Sequence, residues 1–98
     1  SIPKTFVAEK KTLLSDLDIV NHANSVKYLE WCLDYFEPKL LLNQSIQSFE
    51  MNYLKEVSLN ETVSIEKSDL QSPTTFTVHA NDKICFALQL NLKETPLP

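Results

Sequence analysis

One apolar helix pattern in the first half of the chain constrains the fold more than any other feature. Apolar and aromatic residues recur there at helical spacing, and they form one wide face: Val26, Leu29, Trp31, Cys32, Leu33, Tyr35 and Phe36. Asn24 or Ser25 is placed to cap the first turn, and Pro38 ends the helix or restarts it. Because most of its surface is apolar, we expect this helix at the centre of the fold.

The rest of the chain alternates apolar and polar residues with a period of two, which predicts strands. The predicted strands cover residues 6–14, 46–57, 62–67, 75–80 and 84–92. Asn81 and Asp82 tolerate positive φ and predict a two-residue hairpin turn in a chain that has no glycine. We therefore predict one α+β domain over residues 1–98, with an antiparallel sheet of about five strands wrapped around one long helix.

Charge and composition exclude several classes of function. The net charge is −4, with nine lysines and no arginine, which argues against nucleic acid as a partner. No apolar run approaches the roughly 20 residues of a membrane span. Neither a glycine-rich phosphate loop nor a metal-ligand spacing occurs, so no cofactor is expected. Cys32 and Cys85 lie within apolar patterns, which favours reduced thiols in a cytoplasmic protein.

Polar residues crowd the segment just before the helix and make it the candidate site. Asp18 and His22 flank the turn into the helix, where free backbone N–H groups can polarise a carbonyl oxygen. The alternative is structural: the aspartates form the loop, His22 bonds a turn, and Asn24 and Ser25 serve as caps. Glu56, at the end of the strand 46–57, is by default a solvated side chain on the face of the sheet opposite the apolar residues.

These residues resemble the signature of hot-dog-fold acyl thioesterases. The matching positions are Asp18, His22, Asn24, the run from Val26 to Tyr28, and Trp31, and residues 53–57 resemble the second active-site strand. The most similar family is that of the acyl-acyl-carrier-protein (acyl-ACP) thioesterases, and within it the C-terminal of two tandem hot-dog domains. The resemblance implies a hot-dog fold and hydrolysis of a fatty acyl thioester carried by acyl carrier protein (ACP).

The resemblance also implies roles for individual residues. Asp18 matches the catalytic aspartate, His22 the histidine, and Glu56 the glutamate of the following strand. Asn24 matches a motif asparagine, and with Asn21 and Ser25 it forms the group expected at the helix N-terminus, where an oxyanion or substrate would bind.

Two positions depart from the family pattern. The pattern is Asp-x-Asn-x-His, but its middle position is Val20 here, and the asparagine follows one place later at Asn21. A one-residue shift in extended chain turns a side chain to the other face. The family's cysteine after the strand glutamate is Val57, which removes a nucleophile.

Three interpretations follow from the resemblance. The first is a thioesterase domain that contributes catalytic groups, beside a second hot-dog domain in the same chain. The second is a structural or acyl-binding domain with impaired chemistry, which Val20 favours. The third is a stand-alone acyl-CoA thioesterase acting as a homodimer, because a single hot-dog unit leaves an apolar edge strand that requires a partner.

Overall fold

The computed structural model describes residues 4–17, 25–68 and 73–95. In these residues it contains five strands, one α-helix and two short 3₁₀ helices. The strands are β1 (Lys4–Lys11), β2 (Gln44–Tyr53), β3 (Thr62–Ser68), β4 (Thr74–Ala80) and β5 (Lys83–Glu94). The α-helix is α1 (Ser25–Leu33), and the 3₁₀ helices are Leu14–Asp16 and Pro38–Leu42. The predicted α+β class is confirmed.

All five strands form one antiparallel sheet in the order β1-β3-β4-β5-β2, so β1 and β2 are its two edges. Asparagine and aspartate make the turns that glycine usually makes. Asn81 and Asp82 have φ values of 51° and 62°, as a type I′ hairpin between β4 and β5 requires. Asn60, before β3, also has a positive φ of 67°. The predicted hairpin is therefore confirmed.

Helix α1 packs against β4 and β5 and closes the apolar core. The helix face that is buried differs from the predicted one. Tyr28, Trp31 and Cys32 are buried, whereas Val26 and Leu33 are 55% and 39% exposed. The two aromatic side chains have the larger apolar surfaces, so turning them inward removes more apolar area from water than turning Val26 inward would.

Two elements end earlier than predicted. Helix α1 ends at Leu33, and the N–H of Asp34 makes a final α-helical bond to the Glu30 carbonyl. The chain then continues in tight turns in which the Tyr35 and Phe36 N–H groups bond carbonyls three residues back. Pro38 explains this, because proline disfavours helical geometry at the residue before it. Strand β1 ends at Lys11, since the N–H of Leu13 donates to Asp16 Oδ2 at 2.9 Å and begins a 3₁₀ turn.

The edge strand β2 carries an apolar surface that α1 does not cover. Phe49 and Tyr53 lie opposite Leu90 and Phe86 of β5, yet their side chains are 52% and 50% exposed. They are on the core face of the sheet, but α1 leaves about half of each side chain uncovered. No helix in the described ranges 4–17, 25–68 and 73–95 is long and apolar enough to cross a membrane.

Candidate active site

Most of the predicted site residues lie outside the described residues. Asp18, Asn21, His22 and Asn24 belong to residues 18–24, and of Ser25 only the backbone, as the first residue of α1, is described. Glu56 is the predicted catalytic residue that the structure does describe. The geometry of the predicted site is therefore described through the position of Glu56 relative to the first turn of α1.

Glu56 lies on a segment that has left the sheet. The predicted strand 46–57 ends at Tyr53, because the N–H groups of Leu54 and Lys55 both donate to the carbonyl of Cys85, at 2.8 and 3.2 Å. Two successive donors on one acceptor interrupt the alternation of side chains. The alternation of side chains therefore cannot place Glu56 on the same face of the sheet as Glu50, and that reason for the prediction is wrong. The Glu56 side chain is nevertheless exposed.

The segment 54–57 lies beside the beginning of α1. The hydroxyl of Tyr28 donates a hydrogen bond to the carbonyl of Lys55, with 3.4 Å between the two oxygens. Long side chains on a helix point back toward its N-terminus, so this contact places Lys55 and Glu56 near the first turn. The N-terminal end of a helix offers free N–H groups and positive potential. Glu56 is thus next to the helix end that follows residues 18–24.

An aromatic cluster holds this junction together. The Tyr28 ring stacks on Phe86 of β5, with centroids 5.3 Å apart, and meets Trp31 edge-on at 5.4 Å. Tyr53, the last residue of β2, contacts both Tyr28 and Phe86, at 6.0 and 5.1 Å. Helix α1, strand β5 and the end of β2 are therefore joined at one point, three residues before Glu56.

The Tyr28 hydroxyl keeps its proton throughout the physiological range. Burial, with smaller contributions from the charges of Cys85, Glu56 and Glu61, raises the pKa of Tyr28 to about 12, and the backbone N–H of Val57 opposes the shift. The group is therefore a neutral hydrogen-bond donor at neutral pH. Sequence reasoning included Tyr28 in the family motif but assigned it no role, because its contact with Lys55 joins positions 27 residues apart.

Asp16 has a structural role, as the alternative interpretation of the loop proposed. Its carboxylate is buried, accepts the N–H of Leu13 and lies 3.7 Å from the Lys10 ammonium. Lys10 in turn lies over the Trp31 ring, 5.5 Å from its centroid. These contacts tie the end of β1 to α1 just before residues 18–24 begin.

No cysteine of the chain is available as a nucleophile near Glu56. Val57, at the position of the family's cysteine, is fully buried in the core. Cys32 and Cys85 are also buried, and burial raises the pKa of each thiol, that of Cys32 to about 12. Neither thiol forms the reactive thiolate at neutral pH. Chemistry at this site would therefore depend on carboxylates, imidazole and water.

The chain is similar in sequence to known acyl-ACP thioesterases. The family model described as the acyl-ACP thioesterase C-terminal domain matches residues 2–94. The chloroplastic dodecanoyl-[acyl-carrier-protein] hydrolase of Cinnamomum camphora is 34% identical over 61 residues, which are 62% of this chain and 14% of that protein.

Solved structures of thioesterases have a similar fold. The acyl-ACP thioesterase of Bacteroides thetaiotaomicron has a TM-score of 0.82 and 26% identity, covering 91% of this chain and 37% of that one. A protein of Lactobacillus plantarum assigned as an oleoyl thioesterase has a TM-score of 0.76 and 19% identity, covering 96% of this chain and 39% of that one. The chain thus spans well under half the length of these relatives. The resemblance and the predicted hot-dog fold are confirmed: the chain belongs to the acyl-ACP thioesterase C-terminal domain family.

Proposed function

We propose that this domain contributes catalytic groups to a thioesterase that releases a fatty acid from acyl-ACP. The observation that carries the proposal is the position of Glu56 beside the first turn of α1, directly after the segment that contains Asp18 and His22. Three titratable groups from two distant parts of the sequence would then act on one substrate carbon.

The proposed reaction is hydrolysis by acid–base chemistry. A carboxylate of Asp18 or Glu56 takes a proton from water as the water oxygen bonds to the thioester carbonyl carbon, or the carboxylate attacks that carbon itself. His22 and the N–H groups at the start of α1 stabilise the negative charge on the carbonyl oxygen. The C–S bond then breaks and the carrier thiol takes up a proton. Attack by water releases the fatty acid directly, whereas attack by the carboxylate leaves a mixed anhydride, which a water molecule hydrolyses to the fatty acid and the free carboxylate.

Asn21, Asn24 and Ser25 are proposed as the polar groups around that oxyanion. Val20 supplies no hydrogen bond at the family's asparagine position, and Val57 is buried where the family has cysteine. Under this proposal the carboxylates and His22 suffice without either group.

ACP is proposed as the carrier because the Cinnamomum camphora relative is a dodecanoyl-ACP hydrolase. We also propose a second hot-dog unit as the partner of β2, either elsewhere in the same protein or in a second copy. The exposed apolar side chains of Phe49 and Tyr53 support this, because an uncovered apolar edge strand favours association.

The test is release of dodecanoic acid from dodecanoyl-ACP by the protein that carries this domain. We expect Asp18→Asn and His22→Ala each to lower kcat by roughly 100-fold or more, as removal of an acid–base group does. Asp34→Asn, an exposed aspartate just after α1, is the matched control and should leave kcat unchanged.

The outcomes separate the proposed function from its alternatives. Unchanged hydrolysis by both variants would remove Asp18 and His22 from the mechanism. Binding of acyl-ACP without turnover by the unmodified protein would favour a structural or acyl-binding domain. Faster hydrolysis of dodecanoyl-CoA than of dodecanoyl-ACP would favour a stand-alone acyl-CoA thioesterase.

A further inference from the structure

We propose that Tyr28 is a positioning residue that holds the backbone of Glu56 against the start of α1, an inference that rests on the proposed function of Glu56. The Tyr28 hydroxyl donates to the carbonyl of Lys55. That carbonyl belongs to the peptide group that joins Lys55 to Glu56, so one side chain restrains the backbone at the proposed carboxylate residue.

The Tyr28 hydroxyl contacts this segment between two other restraints. Residues 54–57 follow the end of β2 and lie outside the ladder with β5, to which the N–H groups of Leu54 and Lys55 still connect them. Those two bonds fix the beginning of the segment. Val57 fixes its end by inserting into the core. The Tyr28 hydroxyl contacts the backbone between these two anchors.

Tyr28 is itself held rigidly. Its side chain is 3% exposed and packs among Phe86, Trp31 and Tyr53. A phenylalanine would fill the same space, so packing alone does not require the hydroxyl. Burying a hydroxyl is unfavourable unless it is hydrogen-bonded, and here its acceptor belongs to the segment that carries Glu56.

Removing the hydroxyl should therefore misplace Glu56 without disturbing the binding of substrate. We expect Tyr28→Phe to lower kcat for dodecanoyl-ACP by roughly 10- to 100-fold, because small misplacements of catalytic groups have effects of that size. KM should change by less than about threefold, since the loss concerns the transition state. Tyr35→Phe is the matched control: Tyr35 follows α1 and is 39% exposed, and loss of its hydroxyl should leave kcat unchanged.

A double-mutant cycle with Glu56→Gln distinguishes positioning from a general structural effect. If Tyr28 acts through Glu56, the double variant should be no slower than Glu56→Gln alone. An equal loss from Tyr28→Phe in both backgrounds would overturn the proposal, as would unchanged kcat in Tyr28→Phe. If Glu56→Gln itself retains full activity, the role of Glu56 in the proposed function is wrong, and the positioning role fails with it.

Two amino-acid analogues keep the test decisive if Tyr28→Phe folds poorly. With 4-aminophenylalanine at position 28 the side chain retains a donor of nearly the same reach, whereas 4-fluorophenylalanine has a similar size and no donor. We expect kcat close to that of the unmodified protein with the amino analogue, and the loss described above with the fluoro analogue. Equal kcat for the two proteins would overturn the proposal.

Discussion

Cys32 is the residue whose burial has the clearest consequence for stability. It lies in the last turn of α1 with no exposed surface, and burial raises the pKa of its thiol from 9.0 to about 12. The folded state therefore holds this proton in a pH range where the unfolded chain releases it. Burial raises the pKa values of Tyr28 and Cys85 as well, so all three groups act in the same direction.

We predict that the free energy of unfolding falls as the pH rises above about 9. For a group whose pKa is higher in the folded state, the unfolded state binds fewer protons in that range, so stability decreases with increasing pH. The measurement is the urea midpoint between pH 7 and pH 10.5. In Cys32→Ala the decrease should be smaller but not absent, since Tyr28 and Cys85 remain. If the urea midpoint fell equally with pH in the two proteins, the assignment of this effect to Cys32 would be contradicted.

Residue spacing predicted that one helix face is buried, but it did not identify which face. Val26 and Leu33 fit a helical period as well as Trp31 does, and a count of apolar positions gives each the same weight. The choice depends on the aromatic surfaces of Tyr28 and Trp31 and on Phe86, against which Tyr28 stacks. That partner is 58 residues away along the chain and invisible to local periodicity.

At the scale of single elements, β2 is the strand that most requires a partner to cover its apolar residues. It is an edge strand, and its core-side residues Phe49 and Tyr53 remain half exposed. The opposite edge, β1, exposes Phe6 to a similar extent, 56%. The two edges therefore offer a matched pair of exposed phenylalanines for deciding which edge binds a second hot-dog unit.

We predict that the 98-residue chain on its own self-associates through β2. Phe49→Lys should weaken this association by roughly tenfold or more, because it removes a buried aromatic contact of about 1.5–3 kcal/mol. Phe6→Lys should leave the association constant unchanged. Sedimentation equilibrium over a range of concentrations measures both. A monomer at every concentration, or equal effects of the two substitutions, would contradict the prediction.

Most element positions follow from the sequence, whereas some element ends do not. The alternation in β3, β4 and β5 and the turn at Asn81 are local signals, and the structure has each where it was predicted. The end of β2 is different, since the strand was predicted to continue to residue 57 and ends at Tyr53. The strand ends because the Cys85 carbonyl accepts two successive N–H groups, a tertiary arrangement that no pattern within β2 records.

At the scale of the whole molecule, the sheet order brings the segment after β2 to the beginning of α1. With β2 at the edge beside β5, the residues that follow β2 return toward the first turn of α1, which packs on β4 and β5. Residue periodicity predicted the number of strands and the single helix, but not this order. The family motif predicted Glu56 as a site residue, and this stays a prediction. What the fold adds is the contact between Tyr28 and Lys55, which no local pattern predicts.

The central claim is that Glu56, beside the start of α1, takes part in thioester hydrolysis. The most direct measurement is the single-turnover rate of fatty acid release from dodecanoyl-ACP by Glu56→Gln and by Glu50→Gln, in the protein that carries this domain. Both glutamates are exposed, and they lie six positions apart, one on β2 and one just beyond it. We predict a loss of roughly 100-fold or more for Glu56→Gln and no change for Glu50→Gln. Equal rates for the two variants would contradict the claim.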